Sequence, residues 1–358
     1  MKRLRETALA EWSQQVLREL ETGDPEGFPR RLSDQVWLNS LGGDAGFRHY
    51  YRVNTQPSLL AVDAPPATEN SAAFVAIGQQ LRENGIHTPE VIAFEPSEGF
   101  LLIEDLGYTS YHSALLEQGP DLLYGEAMMS LLRMQQITPD DRWDLPHYDH
   151  KRLNDEMALF PEWFVQQNLQ YSLSNDENVM LEKVFQSLSA SALAQPSVFV
   201  HRDFHSRNLM AMEGCAPGVI DFQDAVWGPI TYDLVSLYRD CYLRWPRDQV
   251  ERWACAYGEM LVDAKLMPEI HHDEFLKWFD WMGLQRHIKV LGIFSRLSLR
   301  DGKSAYLDDI PLVIRYVLEV SDHYSEFHDF AVWFRAQLLP LIEHQPWYQP
   351  IESAGERP

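Results

Sequence analysis

Three polar side chains in one stretch of the sequence have the types and spacing that phosphoryl transfer requires. An apolar run at 198–200 leads into His-Arg-Asp, and Asn208 follows Asp203 by five residues. A second apolar run ends at Asp221, thirteen residues after Asn208. In phosphoryl transfer one carboxylate orients the acceptor hydroxyl, while an amide and a second carboxylate hold magnesium against the nucleotide phosphates. The pattern predicts a kinase in which Asp203 is catalytic and Asn208 and Asp221 bind Mg²⁺.

The same loop admits a second interpretation, a zinc site. His201, Asp203 and His205 stand at alternate positions, and alternate residues of a strand point the same way. A zinc site needs a further ligand and hydrogen bonds that orient its ligands, and this interpretation leaves Asn208 and Asp221 without a role. We therefore prefer the kinase hypothesis and expect His201 to be a packing and hydrogen-bonding residue of the loop.

The elements around this loop indicate two lobes. Between residues 36 and 64, short β-branched and aromatic runs alternate with turn residues, which predicts an antiparallel meander, and two more strands are predicted at 91–94 and 100–104. An apolar stripe predicts a helix over 4–20, and Asn70 or Ser71 is placed to cap a second helix. Beyond residue 107 the periodicity is helical, over five stretches: 121–137, 154–170, 177–193, 273–299 and 310–343.

The fold class expected is therefore α+β, with two lobes. We place a small antiparallel β-rich N-terminal lobe, expected to bind the nucleotide of a kinase, at residues 1–105. A larger and mainly helical C-terminal lobe, expected to carry the catalytic loop and the acceptor site, follows at 106–358. A chain of this length exceeds the roughly 100 to 200 residues typical of one domain, which agrees with this division.

Composition excludes several classes of protein. The 358 residues are 45% hydrophobic, which is ample for a core and argues against disorder. The net charge of −23 would repel nucleic acid and anionic membranes, so we expect neither as a partner. The three cysteines form no C-x-x-C pair, and no apolar run approaches the length of about 18 residues that a membrane span needs. A reduced, cytoplasmic protein is expected.

The sequence resembles the aminoglycoside phosphotransferase and choline kinase superfamily, whose members share the two-lobed kinase-like fold. His205 matches that superfamily's H-x-D-x-H-x-x-N loop. LAVDAPP at 60–66, FLLIEDLG at 100–107 and DFQDAVWGP at 221–229 resemble more narrowly the bacterial anomeric kinases, which phosphorylate N-acetylmuramate and N-acetylglucosamine in the recycling of cell-wall peptidoglycan. The resemblance covers most of the chain. It implies ATP and Mg²⁺ as cofactors and a small amino sugar as the acceptor, which becomes a sugar 1-phosphate.

The resemblance also implies where the nucleotide binds. Its phosphate loop falls at three glycines, which allow close approach of the backbone to phosphates: Gly42, Gly43 and Gly46. The hinge, whose backbone would bind the adenine or guanine edge, falls at three residues: Glu104, Asp105 and Leu106.

One feature departs from the wider kinase pattern. The strand at 59–62 should carry a lysine that pairs with phosphates, but Val62 and Asp63 stand there, and no lysine occurs between positions 3 and 150. Arg48 and Arg52 are the candidates to replace it. Two glutamates are candidates for the helix partner of such a cation: Glu69 and Glu83.

The acceptor site is expected shortly after the second predicted magnesium ligand. Carboxylates and arginines can hydrogen-bond sugar hydroxyls or a lactyl carboxylate, and an aromatic ring can cover an apolar sugar face. The candidates are Asp224, Trp227, Arg239 and Asp240. Two alternatives stay open: an aminoglycoside phosphotransferase of the same fold, whose cationic substrate would suit the negative charge, and a catalytically silent nucleotide-binding module, which the missing lysine suggests.

Overall fold

The computed structural model describes residues 2–23, 35–43, 46–138 and 145–356. The chain divides into two units that each pack mainly against themselves. Unit 1 comprises Met1–Ser110 and Leu209–Gln223, and unit 2 comprises Tyr111–Asn208 and Asp224–Pro358. The expected antiparallel β-sheet in the N-terminal part and the helical C-terminal part are both confirmed.

Unit 1 contains a five-stranded antiparallel sheet with the strand order β1-β2-β3-β5-β4. Its strands are β1 Leu38–Gly43, β2 His49–Val53, β3 Leu59–Asp63, β4 Val91–Glu95 and β5 Phe100–Glu104. Unit 2 contains β6 Ser197–Val200 and β9 Val226–Pro229, while β7 Leu209–Met210 and β8 Gly218–Val219 pair within unit 1. The runs interpreted as strands from their alternation therefore do form the sheet.

The N-terminal helix α1, Lys2–Gly23, packs its apolar stripe on this sheet. Leu9 and Leu17 are buried in one cluster with sheet residues that include Tyr51 and Leu102. At the end of β3, the carboxylate of Asp63 accepts hydrogen bonds from Arg5, with Nη2 at 2.7 Å from Oδ1. The acidic residue that stands in place of the expected lysine is thus neutralised from α1.

The second helix, α2, spans Ser71–Glu83. The side chain of Asn70 accepts a hydrogen bond from the backbone N–H of Ala73 at 3.1 Å, so Asn70 is the N-cap. The ring of Phe74 stacks on that of Phe222 with centroids 4.8 Å apart. This contact joins α2 to the segment that contains Asp221.

Unit 2 is mainly helical. The helices are α3 Tyr111–Gln118, α4 Asp121–Gln135, α5 His150–Met157, α6 Asn175–Leu193, α7 Tyr232–Tyr238, α8 Arg247–Asp263, α9 His272–Asp301, α10 Ile310–His323, α11 His328–Trp333 and α12 Leu339–Ile342. The 30-residue α9 is buried over most of its length. A Cβ on its Gly292 would lie 2.4 Å from the carbonyl carbon of Leu159, so glycine allows this close approach.

The helical stretch expected at 310–343 is broken, contrary to the prediction. Tyr324 has extended backbone angles (φ −113°, ψ 121°) and ends α10. Its hydroxyl donates a hydrogen bond to the carboxylate of Asp280 at 2.9 Å, a tertiary contact that fixes the side chain toward α9. Within residues 2–23, 35–43, 46–138 and 145–356, no helix is both long and apolar enough to cross a membrane.

Candidate active site

The loop that carries Asp203 follows β6, which pairs antiparallel with β9. Arg202 adopts a left-handed conformation with φ 76°, which is unfavourable for a residue with a side chain. Asp233, in the first turn of α7, holds this conformation because its carboxylate accepts hydrogen bonds from the backbone N–H groups of His201 at 2.6 Å and Arg202 at 2.9 Å. Burial raises the pKa of Asp233 to about 7.

Asp203 is half-buried, and its surroundings favour the carboxylate form. Burial alone would raise the pKa of Asp203, but the positive charge of Lys289, followed by contributions from His205 and Arg286, lowers it below the ordinary value. Asp203 is therefore ionised at neutral pH, which is the form that its predicted role requires.

Lys289 belongs to a buried ionic network that supports the loop. Its Nζ lies 3.2 Å from Oε2 of Glu156 and donates a hydrogen bond to the hydroxyl of Tyr232 at 3.0 Å. Glu156 also pairs with Arg202 and accepts a hydrogen bond from the hydroxyl of Tyr148. Burial alone would raise the pKa of Glu156, but Lys289 and Arg202 lower it. Each charge in the network thus has an opposite charge beside it.

Asn208 closes the same loop. Its Nδ2 donates a hydrogen bond to the backbone carbonyl of Asp203 at 3.1 Å, and its backbone N–H donates to the carbonyl of His205 at 2.9 Å. These bonds fix the side chain of a buried amide, and amide oxygens are ligands that Mg²⁺ accepts. The residue type and its fixed position fit the predicted role.

His201 has the packing role expected from the sequence. It is fully buried, its Nδ1 accepts a hydrogen bond from the backbone N–H of Asp203 at 3.3 Å, and its ring meets Phe204 edge-on at 5.9 Å. Among the residues that the structure describes, His201, Asp203 and His205 are not grouped as ligands of a metal ion.

Asp221 lies in unit 1, directly after the short β7–β8 pair. Its backbone is left-handed, with φ 67°, and its Oδ1 accepts a hydrogen bond from Nε2 of Gln223 at 2.8 Å. The next residue, Phe222, is fully buried against Phe74 of α2, which anchors the segment. A carboxylate is the oxygen ligand that magnesium prefers, so the chemistry of Asp221 fits its predicted role.

The predicted nucleotide loop begins at the end of β1. Gly42 has φ 91°, and the β1–β2 register shifts between Ser40 and Gly43. Gly46 follows the turn, and a Cβ there would lie 3.3 Å from Oε1 of Glu69. Asp44 and Ala45, which the sequence places within this loop, lie outside the described residues.

Arg48 and Glu69 form a buried ion pair beside this loop. Nε of Arg48 lies 3.2 Å from Oε2 of Glu69, whose other oxygen accepts a hydrogen bond from the N–H of Phe47 at 2.9 Å. The guanidinium group lies over the ring of Phe74, 5.2 Å from its centroid. Among the described residues, the buried Nη2 of Arg48 has no hydrogen-bond partner. Of the two candidate glutamates, Glu69 is the one paired with Arg48.

Arg52, the other candidate cation, is hydrogen-bonded to the predicted hinge. Its Nη2 donates hydrogen bonds to Oδ1 of Asp105 at 3.0 Å and to the carbonyl of Gly107 at 3.1 Å. Asp105 also accepts a hydrogen bond from the hydroxyl of Ser58 at 2.6 Å. Burial alone would raise the pKa of Asp105, but the bonds from Arg52 and Ser58 lower it.

The other hinge residues are also held within unit 1. Oε2 of Glu104 accepts hydrogen bonds from Arg82 at 3.3 Å and from the N–H of Glu90 at 3.2 Å. Leu106 is buried, and a Cβ on Gly218 would lie 2.7 Å from its Cδ1. The side chains of the predicted hinge thus make contacts within unit 1.

Three of the four candidate sugar-binding residues make strong contacts within unit 2. Nη1 of Arg239 lies 2.7 Å from Oδ1 of Asp280, and Asp240 accepts hydrogen bonds from Ser206 Oγ at 2.5 Å and from the N–H of Leu243 at 2.7 Å. Trp227 is buried in β9, opposite Phe199. The fourth candidate, Asp224, is exposed. Their contacts with a sugar stay predictions.

A comparison with protein families decides the classification. The sequence profile of the Phosphotransferase enzyme family, APH, matches residues 37–269. The chain belongs to this family.

The phosphotransferase is also similar to N-acetylmuramate/N-acetylglucosamine kinases from two bacteria. It is 40% identical to that of Pseudomonas putida over 284 residues, which covers 79% of this chain and 83% of the relative. It is 40% identical to that of Neisseria meningitidis serogroup B, covering 84% and 89%.

Solved structures share the fold at low sequence identity. A spectinomycin phosphotransferase in complex with ADP and spectinomycin matches with a TM-score of 0.56 at 10% identity, covering 86% of this chain and 98% of that one. An ethanolamine kinase of Plasmodium vivax matches with a TM-score of 0.55 at 13% identity, covering 82% and 83%. These likenesses confirm the kinase-like fold of the phosphotransferase.

Sequence reasoning missed the supporting charges of the phosphotransferase loop. Neither spacing nor motif gives a role to Lys289, Arg286 or Glu156. The charge pattern of α9 could have indicated them. Two cations one turn apart among buried residues of a helix indicate that these charges have partners.

Proposed function

We propose that this phosphotransferase transfers the γ-phosphoryl group of ATP to the anomeric hydroxyl of N-acetylmuramate and N-acetylglucosamine. The products would be sugar 1-phosphates in peptidoglycan recycling, a reaction assigned to the cytoplasm because ATP is there. The 40% identity to kinases named for these two sugars supports the choice of acceptor. The observation that carries the proposal is the ionised Asp203, in a loop held by Asp233.

In this proposal Asp203 is the catalytic residue. Its carboxylate accepts a hydrogen bond from the anomeric hydroxyl, aligns the oxygen with the γ-phosphorus, and takes the proton as the new P–O bond forms and the bond to ADP breaks. An anomeric hydroxyl is more acidic than an ordinary alcohol, so orientation matters more than strong basicity. The lowered pKa of Asp203 suits that role because the carboxylate needs no prior deprotonation.

Asn208 and Asp221 are proposed to hold Mg²⁺, on the spacing of the motif and the oxygen ligands that these residues supply. Bound magnesium would neutralise charge on the phosphates of ATP. In unit 1, the loop with Gly42, Gly43 and Gly46 would approach the phosphates, and the backbone of residues 104–106 would bind the base. Arg48 is proposed to take the place of the missing lysine, because its buried Nη2 has no partner among the described residues and its Nε is fixed by Glu69.

The acceptor would bind in unit 2 beside Asp203, with Asp224 as the exposed candidate for a contact with sugar hydroxyls. Three residues would then shape the site without contacting the sugar, because their side chains contact other side chains of unit 2: Arg239, Asp240 and Trp227. An aminoglycoside phosphotransferase is the second candidate function, because a net charge of −23 suits a cationic acceptor. The same charge disfavours nucleic acid as a partner.

The test is coupled ADP release with magnesium ATP on a panel of acceptors: N-acetylmuramate, N-acetylglucosamine, glucose, choline and kanamycin. We expect turnover on the two N-acetylated sugars, with acid-labile 1-phosphate products. Asp203→Ala should abolish that turnover and leave ATP binding intact. Turnover on kanamycin alone would move the function to antibiotic modification, and ATP binding without turnover on any acceptor would favour a silent module.

A further inference from the structure

Arg286, on α9, is a buried cation without a carboxylate partner. Only 4% of its surface is exposed, and within the described part of the chain no Asp or Glu lies at ion-pair distance from it. The hydrogen-bond partner that it does have is Sγ of Cys241, 3.7 Å from its Nη1. Burial raises the pKa of that thiol to about 11, so the thiol is neutral and does not balance the guanidinium charge. Burial alone would lower the pKa of Arg286, but Cys241, Tyr232 and Asp203 raise it, so Asp203 is a carboxylate whose charge acts on this guanidinium group.

The other buried arginines of unit 2 near the loop are balanced. Arg202 pairs with Glu156, and Arg239 lies 2.7 Å from Asp280. Asp280 is itself shared with Arg247, at 3.0 Å. Arg239, the arginine chosen from the sequence to bind a carboxylate of the acceptor, is therefore already neutralised. Of the three arginines Arg202, Arg239 and Arg286, Arg286 is the one with no carboxylate at ion-pair distance among the described residues.

The position of Arg286 relative to the loop is fixed through Cys241. The preceding residue, Asp240, accepts a hydrogen bond from Oγ of Ser206 at 2.5 Å, so the 240–241 segment supports the loop three residues after Asp203. The charge of Arg286 contributes to the lowered pKa of Asp203. Burial lowers the pKa of His205, and the charge of Arg286 lowers it further. The guanidinium group thus lies close to the carboxylate that must hold the acceptor hydroxyl.

We propose that Arg286 binds a carboxylate group of the acceptor and so determines the preference for an acidic amino sugar over a neutral one. An acceptor whose hydroxyl is hydrogen-bonded to Asp203 brings its other substituents within reach of the neighbouring cation. A guanidinium group binds a carboxylate through two parallel hydrogen bonds, an interaction that a neutral sugar lacks. N-acetylmuramate differs from N-acetylglucosamine by a lactyl ether that carries such a carboxylate. This inference rests on the proposed function and adds a residue to it.

The experiment compares Arg286→Met and Arg286→Lys with the wild-type enzyme on both sugars, by turnover and by calorimetric binding. Arg286→Met should raise the Kd and lower kcat/KM for N-acetylmuramate about tenfold to a hundredfold, the range expected for a charged hydrogen-bonded pair. Any effect of Arg286 through Asp203 falls on both sugars, so the readout is the ratio of the two kcat/KM values, which should shift toward N-acetylglucosamine. Arg286→Lys should fall between. Arg335→Met is the matched control, because it removes one arginine charge of unit 2 at an exposed pair with Asp322.

The outcomes separate this inference from the proposed function. If the wild type neither binds nor phosphorylates either sugar, both are overturned. If the wild type uses both sugars but Arg286→Met weakens both equally, the function stands and the carboxylate assignment is overturned in favour of a role in supporting Asp203. Thermal unfolding adds a check on structure: a single cooperative transition of Arg286→Met shows that the changed kinetics come from a folded enzyme.

Discussion

The carboxylate of Asp233 accepts a hydrogen bond from the backbone N–H of Arg202 at 2.9 Å, at the residue where the chain turns left-handed before Asp203. We expect Asp233→Asn to lower kcat about a hundredfold, because the amide presents a donor where an acceptor is needed and the loop moves out of place. Steady-state kinetics should show a smaller change in the KM for ATP. Asp263→Asn, at an exposed position of α8, is the control, and equal activity of the two variants would contradict this role for Asp233.

Lys289→Met should move the acid limb of the pH profile of kcat/KM to higher pH. The charge of Lys289 is the largest influence that lowers the pKa of Asp203, so its removal raises that pKa. Since the carboxylate is the active form, the enzyme should then lose activity at a higher pH than the wild type. Lys277→Met removes an exposed lysine paired with Glu326 and should leave the limb in place. An unchanged limb in Lys289→Met would show that Asp203 does not titrate under its influence.

Arg48→Met should weaken nucleotide binding specifically. If Arg48 replaces the missing lysine, the variant should raise the Kd for ATP about tenfold or more without changing the Kd of the sugar. Glu69→Gln should have a smaller effect, since it loosens the arginine without removing it. Arg5→Met breaks an ion pair in the same unit and serves as the control. If the Kd for ATP is the same for Arg48→Met and Arg5→Met, a cation other than Arg48 binds the phosphates.

Glu177 should contribute stability that depends on pH. Burial alone would raise its pKa, but hydrogen bonds from Tyr171, Ser174 and Trp333 lower the pKa to about 2. Because this is below the unfolded value of about 4.3, the contribution is full above about pH 4.3 and is lost as the pH falls toward 2. Urea unfolding should find Glu177→Gln less stable by about 1 kcal/mol at pH 7, with the difference shrinking at acidic pH. A difference that does not vary with pH would contradict the linkage.

The sequence predicts elements well where the signal is local. Alternating apolar residues and turn residues suffice for the strands of the sheet, and the side chain of Asn70 caps α2 as its type predicts. The break at Tyr324 has no such signal. Tyrosine is tolerated in helices, and the hydrogen bond that Tyr324 makes at this point goes to Asp280, whose position is fixed only by the tertiary fold.

In the candidate site, too, some residues are predicted from local sequence and others depend on tertiary contacts. Spacing alone predicts roles for Asp203, Asn208 and Asp221, because a short motif carries them. Spacing does not distinguish Arg48 from Arg52, because both lie in β2 or next to it. The two arginines differ in their ion-pair partners, Glu69 and Asp105, which are remote from them in sequence. The acceptor residues were expected from proximity in sequence, yet Arg239 proves to be neutralised from α9.

The packing of α1 on the sheet has a practical consequence. The family match begins at residue 37, so a truncated protein designed from that boundary would lose α1 entirely. The truncation would uncover the apolar face formed by Tyr51, Leu102 and their neighbours and would leave Asp63 without Arg5. Exposed apolar sheet surface favours self-association. Insoluble expression of such a fragment would thus report the loss of this cover and would say nothing about the catalytic loop.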